Sequence, residues 1–444
     1  MNQQLTNDQI VMLARQAYIY GFPLVLMAET CRSVTNHEAP VYDSFFAPVN
    51  QFSHFRNFPD AKFTSIVKPN CDTYYSSAWL DLLQEPLLLT VPDTNGRYYL
   101  LPMMDAYTNV FASPGKRTTG TSAKTFLITG PQYTGSIPDG VEEIKAPTNM
   151  VWILGRTQVN SPEDGKEVVY PIQDGYTLTP LSKQGTNYQP AKNAVTPGIT
   201  DNPPAFVERM DISTFFNSLN EQLAINPPPT ADTPILSAIA AIGVGPGKRF
   251  DLSVFNTECK AALQAVPAEV HEQLRIFSVK GGERENNWNV TREGIGNYGT
   301  NYKLRALLAL IGLGANLNAD ASYPNCQLDM AGNKLDGSKQ YVLHFDKGQT
   351  PPANAFWSLT IYGADDFLVD NPINRYTLGD RNNLQYNADG SLDIHIRHDE
   401  PEADKKANWL PAPTGAFSLT MRIYWPQASF LNASWQIPPV KQLP

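Results

Sequence analysis

Apolar positions change their period twice along the chain. Thr6 and Gln9 stand at capping-box spacing, and Ile10, Leu13, Ala14, Ala17 and Tyr18 then recur at helical intervals until Gly21 and Pro23 interrupt them. This predicts one amphipathic helix within an opening region, 1–40. Over 41–200 the texture becomes short apolar runs (SAWLDLL, EPLLLTVPD, RYYLLPMM, KTFLITGP, NMVWILGRT) cut by Asp-Thr-Asn-Gly, Ser-Pro-Gly-Lys and Pro-Asp-Gly. Such punctuation predicts a β-sandwich or barrel. A polar stretch from Pro180 to Pro204 reads as a connector.

Helical spacing returns over 201–322. Pro203 and Pro204 suit a helix start; Phe215, Phe216, Leu219 and Leu223 share one face; Pro234–Ile242, Ser253–Ala265 and Ala268–Phe277 supply three further helical patterns. Tyr302–Leu313 is apolar nearly all round, as a buried core helix is. From 323 to 444 the short-strand texture resumes with QYVLHF, AFWSLTIY, DIHIRH and FSLTMRIYW, predicting a second all-β unit. The expected fold class is mainly β with a helical insert.

Composition narrows the function classes. With 444 residues and a formal charge of −9, the chain lacks the basic excess of a nucleic-acid binder. It has 36 prolines, 29 glycines and only 17% charged residues, which suits strands and loops more than a helix bundle. Cys31, Cys71, Cys259 and Cys326 lie too far apart in sequence for a CxxC pair, so neither a redox motif nor a disulfide framework is expected. The apolar run Ala17–Ala28 is too short for a membrane span and contains Gly21 and Pro23. No basic residue follows Met1 until Arg15, so a soluble cytoplasmic protein is expected.

Several motifs fail on context. Gly294-Ile295-Gly296-Asn297-Tyr298-Gly299 matches a dinucleotide fingerprint, but the preceding NNWNVTRE does not read as a buried strand. It reads as a glycine loop entering a core helix. Gly243–Arg249 lacks the first glycine and the hydroxyl of a phosphate loop, and reads as a helix stop. Asn387–Asp393 resembles part of a calcium loop but lies between strand-like segments, as a hairpin turn does. His395 and His398 are three apart, on opposite faces of a strand. His54 is a possible proton carrier or a hydrogen-bonded core histidine. No metal and no cofactor is expected.

The densest polar and aromatic set is Lys68-Pro69-Asn70-Cys71-Asp72-Thr73-Tyr74-Tyr75-Ser76-Ser77-Ala78-Trp79. Asn70 and Asp72 either orient a ligand, with Asp72 as general base, or form an Asx turn while the rings pack. Asp105, Tyr107, Asn109, Arg117 and Trp152–Arg156 add similar chemistry. Trp357, Asn374, Arg375, Tyr376, Asn408 and Trp409 repeat it in the last unit. Arginine among rings suits a carboxylate or phosphate, or a buried ion pair with aspartate.

At PNCDTYYSSAWLDL (69–82), GRYYLLPMMDAYTNVFASPGKRTTG (96–120), APTNMVWILGRT (146–157), PPANAFWSLTIY (351–362), NPINRYTLGDR (371–381) and NWLPAPTGAFSLTMRIYWP (408–426), the sequence resembles the paired families of domains of unknown function 1254 and 1214. The resemblance implies an N-terminal β-sandwich, a helical insert and a C-terminal jelly-roll-like domain, often assembled as a homo-oligomer. It assigns no catalytic residues. Asn70, Asp72, Thr73, Tyr75, Asp105, Arg156, Trp357, Asn374, Arg375 and Trp409 stand at its motif positions. Three functions compete. The first is a hydrolase or lyase for a polar or carboxylated small molecule, with Asp72, Tyr75, Asp105 and Tyr107 catalytic and Asn70, Arg156, Trp357, Arg375 and Trp409 binding substrate. The others are a non-catalytic carbohydrate or small-ligand binder, and an assembly protein whose motifs form packed contacts. Neither nucleic acid nor membrane insertion is expected.

Overall fold

The computed structural model describes residues 5–64, 67–200, 202–280 and 283–444, the side chains of 278–280 and 283 excepted. Met1 to Gln4, the stretch without a basic residue, lie outside them. The capping box forms as predicted: Thr6 accepts from the Gln9 N–H, and Gln9 returns a carbonyl to the Thr6 N–H. Helix α1 does not stop at Gly21 and Pro23, however, but runs from Asn7 to Val34. An interior proline costs a helix about 3 kcal/mol, and here burial outweighs that cost, because Tyr20 to Met27 are all buried. Leu219, on the helix Ile212–Ile225, packs where a Gly21 side chain would stand. Helix α1 is long and apolar enough to cross a membrane, yet 67% of its most apolar window is buried inside the fold.

The helical layer collects around α1. Helices Ile212–Ile225, Thr257–Lys280 and Tyr302–Gly312 share its core, with Phe215, Phe216, Leu263, Val270 and Ala306 wholly buried. Two predicted helices merge into Thr257–Lys280, which passes through Pro267. Tyr302–Gly312 is less enclosed than its sequence suggests, since Ile311 is exposed.

The described residues form four open sheets. In the N-terminal unit, strands Thr73–Asp81 (β1) and Met150–Gln158 (β2) pair antiparallel over nine positions in a six-stranded sheet. A four-stranded sheet led by Leu87–Val91 and Lys124–Thr129 lies against it, and Ala78, Leu80, Leu89, Phe126 and Ile153 fill the shared core. Trp79 and Trp152 face the other way, stacked at 4.8 Å, and cluster with Met27 of α1. The C-terminal unit pairs Ala353–Gly363 (β3) with Phe417–Pro426 (β4) in a seven-stranded sheet, opposed by a four-stranded sheet containing Tyr341–Phe345 and Leu392–Arg397. Its core holds Trp357, Leu359, Ile361, Leu419, Met421 and Ile423. The segment before the glycine loop corrects the sequence reading. Trp288–Val290 is a strand of this sheet, with Trp288 wholly buried and its indole N–H donated to the Pro438 carbonyl.

Gly21→Ala sets helix propensity, which favours alanine by about 1 kcal/mol, against overpacking, which costs about 1–3 kcal/mol. The new methyl would stand 2.3 Å from Leu219, itself wholly buried. We expect the variant to melt at lower temperature by calorimetry; an equal or higher melting point would show that the core yields.

Candidate functional site

Side chains alternate across a strand, so one residue in two of β3 and β4 turns away from the C-terminal core. Phe356, Ser358, Thr360 and Tyr362 of β3, with Ser418, Thr420, Arg422 and Tyr424 of β4, form that outer face. The residues between them fill the core. The segment Lys68–Asp72, leading into β1, lies over this face. Tyr362 donates its hydroxyl to the Pro69 carbonyl at 2.8 Å. Arg422 donates to the Lys68 carbonyl at 3.0 Å, to the Tyr362 hydroxyl at 2.6 Å and to Thr360 at 2.7 Å. Buried polar groups demand partners, and here they clamp the two β units together.

Asp72 sits in this clamp with no solvent exposure. Its carboxylate pairs with Arg381 and accepts from Ser358 Oγ at 2.6 Å. The Arg381 guanidinium also donates to the Val159 carbonyl and lies 4.2 Å from the Phe356 ring centre. The Asx turn expected at Asn70 forms. Its Oδ1 accepts from the Asp72 N–H at 2.7 Å, an Asx turn, while its Nδ2 points to the hydroxyls of Thr73 at 2.7 Å, Tyr424 at 3.1 Å and Tyr75 at 3.4 Å.

Tyr75 on β1 lies directly across from Arg156 on β2, and the guanidinium sits 5.1 Å from its ring centre. Arg156 is buried and donates to Asn316 Oδ1 at 2.6 Å and to the carbonyls of Leu154 at 3.0 Å and Gly314 at 3.2 Å. Gly314 holds φ +92°, and a side chain there would meet Leu154, so only glycine presents that carbonyl without strain. Asn316 donates in turn to the Tyr323 hydroxyl at 2.5 Å, and Tyr323 meets Tyr424 edge to face at 6.2 Å. Arg156, Tyr75, Asn70, Tyr424, Tyr323 and Asn316 thus close a ring of side chains. Tyr75 and Tyr323 are half-buried and give it a face to solvent.

The ring is rich in donors. Arg156 Nε has no hydrogen-bond partner among the described residues. The hydroxyls of Tyr75 and Tyr424 receive Asn70, and that of Tyr323 receives Asn316. Among the described residues none of the three donates to an acceptor. Arg156 also has no carboxylate within ion-pair distance among the described residues, whereas Arg381 has Asp72, Arg117 has Asp320 at 2.7 Å and Lys68 has Asp366 at 3.5 Å. Burial raises the Tyr323 and Tyr424 hydroxyls above the ordinary tyrosine pKa and keeps their protons in place.

The other sequence candidates lie elsewhere. Asp105 pairs with Val151, five positions along β2 from Arg156, about 17 Å at ordinary strand rise. There it accepts the N–H groups of Tyr107 and Asn109 in a tight turn, and Tyr107 donates to the Asn226 carbonyl. Trp357 faces the C-terminal core. Arg375 donates to the carbonyls of Lys406 and Trp409, and the Trp409 indole to that of Arg397. Asn374 is exposed. His54 contacts Ser76 Oγ at 2.9 Å, on the opposite face of β1 from Tyr75. Asn387–Asp393 forms a turn closed between Asn387 and Ser391, and no cluster of metal-ligating residues occurs among the described residues. Sequence reasoning missed Asn316, Tyr323, Ser358, Arg381, Arg422 and Tyr424. Polar residues at alternate positions of FSLTMRIYW were the available signal for the last two.

Two consequences are measurable. Asp72→Asn leaves Arg381 without a buried counter-charge, a loss of about 3–5 kcal/mol. We expect a large drop in the urea midpoint, much of it restored by adding Arg381→Met; an unchanged midpoint would sink the clamp. Burial pushes Asp105 up to about 6 from an ordinary 3.8, against the pull of its Asn109 hydrogen bonds. The folded chain therefore holds this proton more tightly than the unfolded chain. Its stabilising contribution is complete below about pH 4 and fades as pH rises through about 6, on the order of 3 kcal/mol. We expect Asp105→Asn to flatten the dependence of melting temperature on pH in that window; an unaltered slope would refute the assignment.

Comparison with known proteins supplies a family but no activity. The VPA0106 protein from Vibrio parahaemolyticus is similar over 99% of this chain and 100% of its own, with 27% identity and a TM-score of 0.73. A putative uncharacterized protein from Burkholderia cenocepacia aligns over 98% of this chain and 94% of its own at 12% identity and a TM-score of 0.44. No curated protein matches. Family models described as proteins of unknown function match residues 49–180 (DUF1254) and 320–428 (DUF1214). These spans hold the two halves of the clamp, and the chain belongs to the paired families of domains of unknown function 1254 and 1214.

Proposed function

We propose that the chain binds a small carboxylated organic molecule in the ring around Arg156. One observation carries this reading: among the described residues a buried guanidinium without a carboxylate partner converges with three phenol hydroxyls that have no acceptor. An unpaired buried cation is costly, and an anionic oxygen ligand would answer both its charge and the free donors. The half-buried rings of Tyr75 and Tyr323 supply the apolar wall that small-molecule sites share.

The hydrolase or lyase reading asks for a free base at the ring. Asp72, Asp320 and Asp366 each hold a cation, so their geometry favours binding over proton abstraction. The ring draws on both β units and on Asn316 beyond the helical layer, so the ligand in this reading lies where the units meet. We read the C-terminal unit, with its two open sheets facing one core, as jelly-roll-like within this proposal.

Tyr323→Phe removes one donor from a half-buried position and leaves the ring in place. We expect acetate and propionate, titrated by calorimetry, to bind the wild-type protein. Binding should weaken about tenfold in Tyr323→Phe, the worth of one charge-assisted hydrogen bond. It should be lost in Arg156→Met. Equal binding by all three proteins would move the site elsewhere.

A further inference from the structure

The charges at the junction do not balance. Five cations meet there, Lys68, Arg117, Arg156, Arg381 and Arg422, and three of them hold Asp366, Asp320 and Asp72. Arg156 and Arg422, both buried, have no carboxylate within ion-pair distance among the described residues. Asp72 acts on Arg422 only from beyond that distance, and Asp380, which accepts the Trp357 N–H, is exposed. The Nη atoms of Arg422 are engaged by Thr360, Tyr362 and main-chain carbonyls, none of which carries a full negative charge, and its Nε makes no hydrogen bond among the described residues.

The two arginines flank the same phenols. Tyr424 stands two positions from Arg422 on the outer face of β4, one strand repeat or roughly 7 Å away, and shares the Asn70 amide with Tyr75, which stacks on Arg156. Resting on the binding proposed at the ring, we infer that the ligand is a dianion, a short-chain dicarboxylate. One carboxylate sits on Arg156 Nε and the hydroxyls of Tyr323 and Tyr424, and the second reaches toward Arg422. Two separated cations call for two separated anionic groups, not one compact dianion.

The test is a titration of the wild-type protein at pH 7 with acetate, succinate, glutarate and inorganic phosphate, repeated with Arg422→Gln. We expect succinate or glutarate to bind at least tenfold more tightly than acetate. That preference should collapse in Arg422→Gln. Equal binding of acetate and dicarboxylates by the wild type overturns the dianion inference and leaves the ring as a monocarboxylate site. Phosphate binding as tightly as succinate overturns the two-group spacing. Binding of none of these anions overturns the ring reading and the inference with it. The comparison of ligands on the wild-type protein decides the matter even if Arg422→Gln does not fold.

Discussion

The pairing of Asp72 with Arg381 is the constraint on which the junction rests. Asp72 has no exposure, and a carboxylate taken out of water must find a cation and hydrogen-bond donors or cost several kcal/mol. Arg381 and Ser358 come from the C-terminal unit, while Asp72 comes from the turn that opens β1. Satisfying one acid therefore docks two domains. That docking presses the Lys68–Asp72 segment onto the outer face of β3 and β4, brings Asn70 within reach of Tyr424, and completes the ring on which Arg156 depends.

Much of this was legible in sequence, and the misses share a cause. The short-strand texture located β1 to β4 because alternation is a local property, written in adjacent residues. Asn70, Asp72, Tyr75 and Arg156 were singled out by composition and meet at one place. Asp105, Trp357 and Arg375 have the same composition and serve local turns and cores. What separates the two groups is which face of which strand opposes another domain, a fact set by pairings such as Asp72 with Arg381, 309 residues apart in sequence. No window of sequence holds that information.

The helical errors have a different origin. Gly21, Pro23 and Pro267 are breakers by intrinsic propensity, yet α1 and Thr257–Lys280 run through them. Propensity is worth about 1 to 3 kcal/mol per site, while each fully buried large apolar side chain contributes about 1.5–3 kcal/mol. Tyr20, Phe22, Leu24, Val25 and Leu26 together outweigh one proline. The small Gly21 is what allows Leu219 to approach so closely. Trp288–Val290 was missed for the opposite reason: a three-residue strand is too short for any period to register.

A second buried arginine shows why Arg156 stands apart. Arg305, in the helical layer, has no exposure and also leaves guanidinium nitrogens without hydrogen bonds. Its charge is nevertheless answered within the fold, by Asp232 at 3.9 Å and by the rings of Tyr20, Tyr107 and Tyr302 at 5.1 to 5.4 Å. Among the described residues Arg156 has one such ring, that of Tyr75, and no acid. If its task were packing alone, a methionine would fill much of the volume without the desolvation cost of a charge. Three phenols converging on it with protons to give, two of them on rings that reach solvent, are the surroundings that a bound anion requires and that a packing arginine does not.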